Sequence, residues 1–181
     1  MLRSFSKTNA LPKALLRRQG QHLQQSRNLN NLRVGVCKEV DQGEARVVIT
    51  PTNVEQLIKK GAVVSVEKGA GSKSGFSDAL YENAGASIVS GDEVWKQDMV
   101  LKLREPTPDM LKKLENRTLI NSLGTRINPE LRDQLAQQGA TCFDLTMLLR
   151  TLSRGQTFDV ISSQANMAGY RAVIEAGHFM Q

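Results

Sequence analysis

Three polar clusters interrupt the apolar runs of this chain, and each holds residue types that can do chemistry. In RVGVCKEVDQGEARVVITP, an apolar run from Arg33 to Cys37 passes into Lys38 and Glu39, then a polar turn containing Gly43, then Glu44 and Arg46. Charged side chains at the carboxyl end of a strand in an α/β sheet lie where ligands bind. The same four charges could equally form weak ion pairs on a solvated surface loop. In MVLKLREP, Lys102 breaks an apolar run whose alternation turns it to the face of Val100. A buried lysine needs a partner or a ligand, whereas one near a sheet edge snorkels to water. In RTLSRGQTFDVISSQANMAGYRAVIEAGH, a loop holding Arg150, Arg154, Gln156, Asp159 and Ser162 precedes a helical pattern. Such a loop joins free backbone N–H groups to side chains that can reach a ligand. The alternative is capping of the helix by Asp159 or Ser162.

Other chemistries lack their parts. Two separated histidines, His22 and His178, and two separated cysteines, Cys37 and Cys142, do not assemble a metal site. Both cysteines sit in apolar runs and read as small core residues. No Gly-x-Ser-x-Gly elbow supports a serine nucleophile. GAGSKSG, from Gly69 to Gly75, is neither a Gly-x-Gly-x-x-Gly nor a Walker loop and reads as a permissive turn.

The elements that must position these clusters alternate between short apolar runs and stretches of helical period. Strands are expected at Leu32 to Cys37, Val63 to Glu67, Met99 to Leu103, Thr118 to Asn121 and Thr141 to Leu145, with Val47 to Thr50 as an extra extended piece. Helices are expected from Pro51 to Gly61, from Ser77 to Gly85, from Asn128 to Gly139 and from Ser162 to His178, the first and third opened by a capping residue followed by proline. The pattern predicts an α/β fold: a Rossmann-like or flavodoxin-like, mainly parallel sheet flanked by helices. The last helix has no strand after it, so the chain reads as interrupted before a second domain.

Charge narrows the partners. The net charge is +6, but residues 1–33 hold seven bases and no acid, which leaves 17 of the 24 bases against all 18 acids. The body is therefore near neutral and lacks the basic footprint of a nucleic-acid binder. Residues 1–31 mix Arg, Ser and isolated leucines without acid and lack a continuous apolar segment, as a mitochondrial transit peptide does; a disordered basic tail is the alternative. No apolar run approaches a membrane span, so contact with a membrane is expected only through partner domains.

Taken in order, VGVCKEVDQGEARVVITP, VEKGAGSKSGFSDALYENAGA, EVWKQDMVLKLREP, NPEL and FDVISSQANMAGYRAVIEAGH resemble the N-terminal domain shared by alanine dehydrogenase and the NAD(H)-binding component of proton-translocating NAD(P) transhydrogenase. The resemblance covers residues 32–181. SQANMAGYRAV looks like the transhydrogenase branch, and Gly124 stands where alanine dehydrogenase carries its substrate-binding histidine.

The resemblance implies a role in hydride transfer between NADH and NADP coupled to proton translocation, with NAD(H) held here and NADP(H) on a partner domain. Gln156, Asp159 and Ser162 fall on the nicotinamide-holding positions, implied as catalytic and cofactor-binding. The family's arginine would stand at Thr151, so Arg150 is one residue early for that role. Arg46 and Lys102 match the positions that bind substrate in alanine dehydrogenase. Implied partners are the remaining transhydrogenase domains and a second copy of the NAD(H)-binding component, on the matrix side of the mitochondrial inner membrane. With the glycine-rich fingerprint of the dinucleotide-binding domain expected after Gln181, the chain reads as a fragment inactive alone. The alternatives are a non-enzymatic partner module of a split transhydrogenase and a truncated alanine dehydrogenase-like oxidoreductase.

Overall fold

The computed structural model describes residues 29–122, 128–149 and 151–180. Six parallel strands form one sheet: β1 (Arg33–Val36), β2 (Val63–Glu67), β3 (Ser87–Val89), β4 (Met99–Leu101), β5 (Thr118–Asn121) and β6 (Thr141–Asp144). Their spatial order is β3-β2-β1-β4-β5-β6, which is the Rossmann-like arrangement of a doubly wound sheet. The helices are α1 (Pro51–Lys59), α2 (Asp78–Asn83), α3 (Gly91–Val94), α4 (Pro108–Leu111), α5 (Pro129–Gln137), α6 (Ser153–Gln156) and α7 (Val160–Phe179).

Local chemistry explains the helix starts. Thr50 caps α1, its hydroxyl accepting from the Asn53 N–H at 3.4 Å, and Pro51 fills the first turn, where a missing N–H costs nothing. Asn128 does the same for α5, accepting from the Leu131 N–H at 3.2 Å ahead of Pro129. Ser90 and Glu93 form a reciprocal capping box on α3.

Alternation along each strand then fills two cores, one on each face of the sheet. Val34, Val36, Val64, Val66 and Leu101 pack on one face with Val54 and Tyr81. Cys37, Val100 and Leu119 pack on the other with Val94, Trp95, Leu111, Leu114, Leu131 and Leu135. On that second face α3 presses so close to β1 that a Cβ at Gly35 would lie 2.5 Å from the Val94 carbonyl oxygen.

Several expectations are corrected. Val47 to Thr50 is not a strand; it crosses irregularly into α1. Ser87–Val89 is a strand at the sheet edge, and α3 and α4 are single turns that the sequence pattern did not announce. The last helix begins at Val160, two residues before Ser162, and runs for 20 residues with most of its surface exposed. Among the described residues no helix is long and apolar enough to cross a membrane. The N-terminal residues 1–28, Gly124 and Arg150 lie outside the described residues.

Candidate functional site

The chain leaves β1 toward β2 and β3 on one side and returns to β4, β5 and β6 on the other. Connections from β1 and β4 therefore diverge, opening a crevice at their carboxyl ends, which is where ligands bind in open α/β sheets. The strand register then decides which side chains line up there. Val36 pairs with Leu101 and Leu101 with Ile120, so the next residues, Cys37, Lys102 and Asn121, stand side by side; Asn121 in turn pairs with Asp144. Three adjacent strands, β4, β5 and β6, thus end in polar residues on one face of the sheet, beside the core residue Cys37 of β1.

Lys102 is fully buried and Glu39 is 5% exposed. The Lys102 Nζ donates to Glu39 Oε2 at 2.6 Å, and the same carboxylate accepts the Leu103 N–H at 2.7 Å and the Arg104 N–H at 3.3 Å. Glu39 follows β1 and these donors follow β4, so one carboxylate ties the two sides of the crevice together. Lys102 does not snorkel to water. Beside it, the Asn121 amide lies 3.5 Å from the Arg104 carbonyl it donates to, and its buried Oδ1 has no hydrogen-bond partner among the described residues.

Glu44 is also 5% exposed, which corrects the reading of this segment as a solvated loop with weak ion pairs. Its Oε1 accepts from the Arg46 Nε at 2.7 Å and the Arg46 backbone N–H at 3.0 Å; its Oε2 accepts from Arg46 Nη2 at 2.7 Å and Arg104 Nε at 2.8 Å. The Arg46 hydrogen bond is the main reason its carboxyl is held down at about 2, with the Arg46 N–H and Arg104 adding to it against the opposing effect of burial. Glu44 correspondingly raises the Arg46 guanidinium. Glu44 holds both guanidiniums, and Asp41 Oδ2 lies 4.0 Å from Arg104 Nε as a second, more exposed carboxylate; with five donors on each guanidinium, spare N–H groups remain.

Arg46 and Arg104 line a cavity of about 190 Å³ together with Leu103, Ser122, Leu145, Thr146, Val160, Ile161 and Gln164. The first turns of α7 thus form one wall of the pocket that the β1 and β4 loops begin. Asp159 caps α7, as one reading of the sequence had it: its Oδ1 accepts from the Ile161 N–H at 3.1 Å and its Oδ2 from the Ser162 hydroxyl at 2.5 Å. The Asp159 N–H in turn donates to the Gln156 carbonyl at 3.3 Å. Gln156 ends the single turn α6 and Ser162 lies within α7, so neither is in a loop as expected; both are exposed, while Asp159 is buried. The structure therefore gathers Gln156, Asp159 and Ser162 at the head of α7 and joins that helix to the pocket of Arg46, whereas Lys102 does not line the pocket and is paired with Glu39.

These groups can bind and orient a polar or anionic molecule. Nucleophilic thiol chemistry is disfavoured, because burial raises the Cys37 thiol and holds Cys142 up at about 11, with Glu67 and Asp144 respectively adding to the shift. Arg104, Ser122, Thr146 and Gln164 were missed as lining residues. Their one signal is position, just past β4 and β5, after β6 and on the first turns of α7.

Residues 35–168 match the family model for the alanine dehydrogenase/PNT N-terminal domain. The NAD(P) transhydrogenase subunit alpha of Haemophilus influenzae is 38% identical over 146 residues, which is 80% of this chain and 28% of that protein. The alanine dehydrogenase of Bacillus subtilis is 35% identical over 150 residues, 82% of this chain and 39% of that protein. The crystal structure of transhydrogenase from Sinorhizobium meliloti superimposes with a TM-score of 0.76 at 35% identity, covering 81% of this chain and 44% of that one. The chain thus spans less than half the length of each.

Proposed function

The chain belongs to the alanine dehydrogenase/PNT N-terminal domain family, and from that premise we propose that it contributes the nicotinamide-positioning corner of an NAD(P) transhydrogenase. The observation that carries this reading is the corner itself: α6 and α7 meet so that Asp159 joins the backbone of Gln156 to the hydroxyl of Ser162. Ser162 Oγ, its proton committed to Asp159, presents lone pairs that can accept from a carboxamide NH2. The Gln156 amide carries both donor and acceptor groups. These residues fit the amide edge of a nicotinamide. Exposed Leu152, Phe158 and Ile161 nearby supply apolar surface for its ring.

The bound dinucleotide supplies the hydride chemistry; this chain's residues orient it and need no general acid or base. NADP(H), the other hydride partner, would be held on a further domain or subunit, and a second copy of this component would complete the assembly. The acid-free, Arg- and Ser-bearing stretch of residues 1–31 supports a transit peptide and a place on the matrix side of the inner mitochondrial membrane, with residues 32–181 as the domain. We further propose that the chain does not transfer hydride alone.

A second reading has its own support. Arg46 and Arg104 line a pocket, and guanidinium N–H groups there also suit the carboxylate of a small 2-oxo acid, as in an alanine dehydrogenase-like oxidoreductase. Amide spectra of the isotope-labelled chain, titrated separately with reduced nicotinamide mononucleotide and with pyruvate at millimolar concentration, separate the two. Shifts at residues 156–162 with the mononucleotide support the transhydrogenase role. No shift there at saturating probe overturns it. Shifts around Arg46 and Leu103 with pyruvate would favour the dehydrogenase-like site instead.

A further inference from the structure

The turn between Gly69 and Gly75 is built more tightly than a permissive connection requires. The Asp78 carboxylate accepts the Gly69 N–H at 2.8 Å, and Gly69 and Gly75 have φ of 71° and 80°, in the left-handed region where a side chain is strained. At Gly71 a Cβ would lie 2.7 Å from the Tyr81 ring and 2.8 Å from Phe76. This rigid turn aims two side chains at the segment that carries Glu44 and Arg46. Ser74 Oγ donates to the Ala45 carbonyl at 2.5 Å, while Lys73 Nζ donates to the carbonyls of Asp41 and Glu44 at 3.4 and 3.3 Å. A little further along, the Tyr81 hydroxyl donates to the Ile49 carbonyl at 2.9 Å.

Residues 44–49 belong to no helix or strand, so their carbonyls have no ladder to satisfy them. From these contacts we infer that Lys73 and Ser74 are positioning residues, which hold the Glu44–Arg46 segment so that Glu44 reaches Arg104 and Arg46 faces the pocket. They touch the backbone and leave the side chains of Glu44 and Arg46 free to bind one another. Glu44 and Arg104 are 60 residues apart in sequence, and their 2.8 Å contact depends on where the loop sits. The inference concerns the pocket wall and does not depend on which ligand the pocket takes.

The test uses the full chain at neutral pH and reads the Nε–H resonances of Arg46 and Arg104, assigned by their loss in Arg46→Lys and Arg104→Lys. Both N–H groups donate to Glu44 and should exchange slowly with solvent. In Lys73→Met/Ser74→Ala the Arg104 Nε–H is expected to exchange at least about tenfold faster, with Arg46 less affected because Glu44 moves with it. Amides of β1 and α5 should keep their protection. Lys73→Arg/Ser74→Thr, which retains both donors, should restore slow exchange. Unchanged Arg104 exchange in the folded double variant overturns the inference. Should the double variant fail to fold, Ser74→Ala alone decides: faster Arg104 exchange supports the role and unchanged exchange refutes it.

Discussion

Replacing Lys102 by Met keeps most of the side chain's volume and removes its charge, leaving Glu39 as a carboxylate 5% exposed beneath the Arg104 loop. It would still accept the Leu103 and Arg104 N–H groups, at 2.7 and 3.3 Å, but without the ammonium at 2.6 Å. Breaking a buried ion pair by removing one partner costs about 3–5 kcal/mol, because the charge left behind has lost its solvent and its counter-ion. For a domain of this size ~1 kcal/mol is worth roughly 2–4 °C, so the melting temperature should fall by about 6–20 °C. Glu39→Gln/Lys102→Met removes both charges and retains a carbonyl for the Leu103 N–H. It should recover to within about 1–2 kcal/mol of the wild type. Urea unfolding of all four corners of the cycle, both single variants included, measures the coupling. A Lys102→Met loss below about 1 kcal/mol, or a double variant no more stable than that single one, would refute the claim that this pair is a desolvated tie across the crevice.

Three further outcomes follow from the geometry. Glu44 is held at about 2 from an ordinary 4.5, so its contribution is present above pH ~4.5 and is lost as pH falls toward 2. Glu44→Gln should flatten the acid limb of stability by about 2 kcal/mol in urea unfolding at pH 5.5 against pH 3. Asp159→Ala should cost ~1 kcal/mol and fray the start of α7, with Asp159→Asn recovering most of it, read from helical circular dichroism and thermal melts. Cys37, buried and with its thiol raised, should escape thiol reagents at pH 8 until the chain unfolds; Cys142, at about 11, should label at least about tenfold more slowly than in urea.

Five of the six strands were legible because each is an apolar run bounded by polar or turn residues, and the capped, proline-led helices α1 and α5 were legible from their first turns. What escaped was short or lacked a period. Ser87–Val89 is a three-residue edge strand flanked by Ala86 and Ser90, and α3 and α4 are too brief for helical spacing to show. The opposite error came at Val47 to Thr50. Their composition suits a strand, but they join no ladder, and the Tyr81 hydroxyl of α2 takes the Ile49 carbonyl instead.

The candidate site was legible in its residue types and illegible in its pairings. Glu39 and Lys102 are 63 residues apart, and local spacing cannot say that the strands preceding them are neighbours. That follows from the reversal of strand order between β1 and β4, which sets the end of one against the end of the other. Once this adjacency is known, alternation does the rest: both faces are covered and Lys102 points to the face of Val100, so a lysine there must find an anion close by. Glu39 is available because β1 ends in register with β4. The same reasoning gives Asn121 its place beside Lys102 and leaves its Oδ1 unmatched. The charge pattern that reads in sequence as a solvated loop is therefore the outcome of topology, which sets Glu39 and Glu44 from one connection against Lys102 and Arg104 from the other and buries Glu39, Glu44 and Lys102.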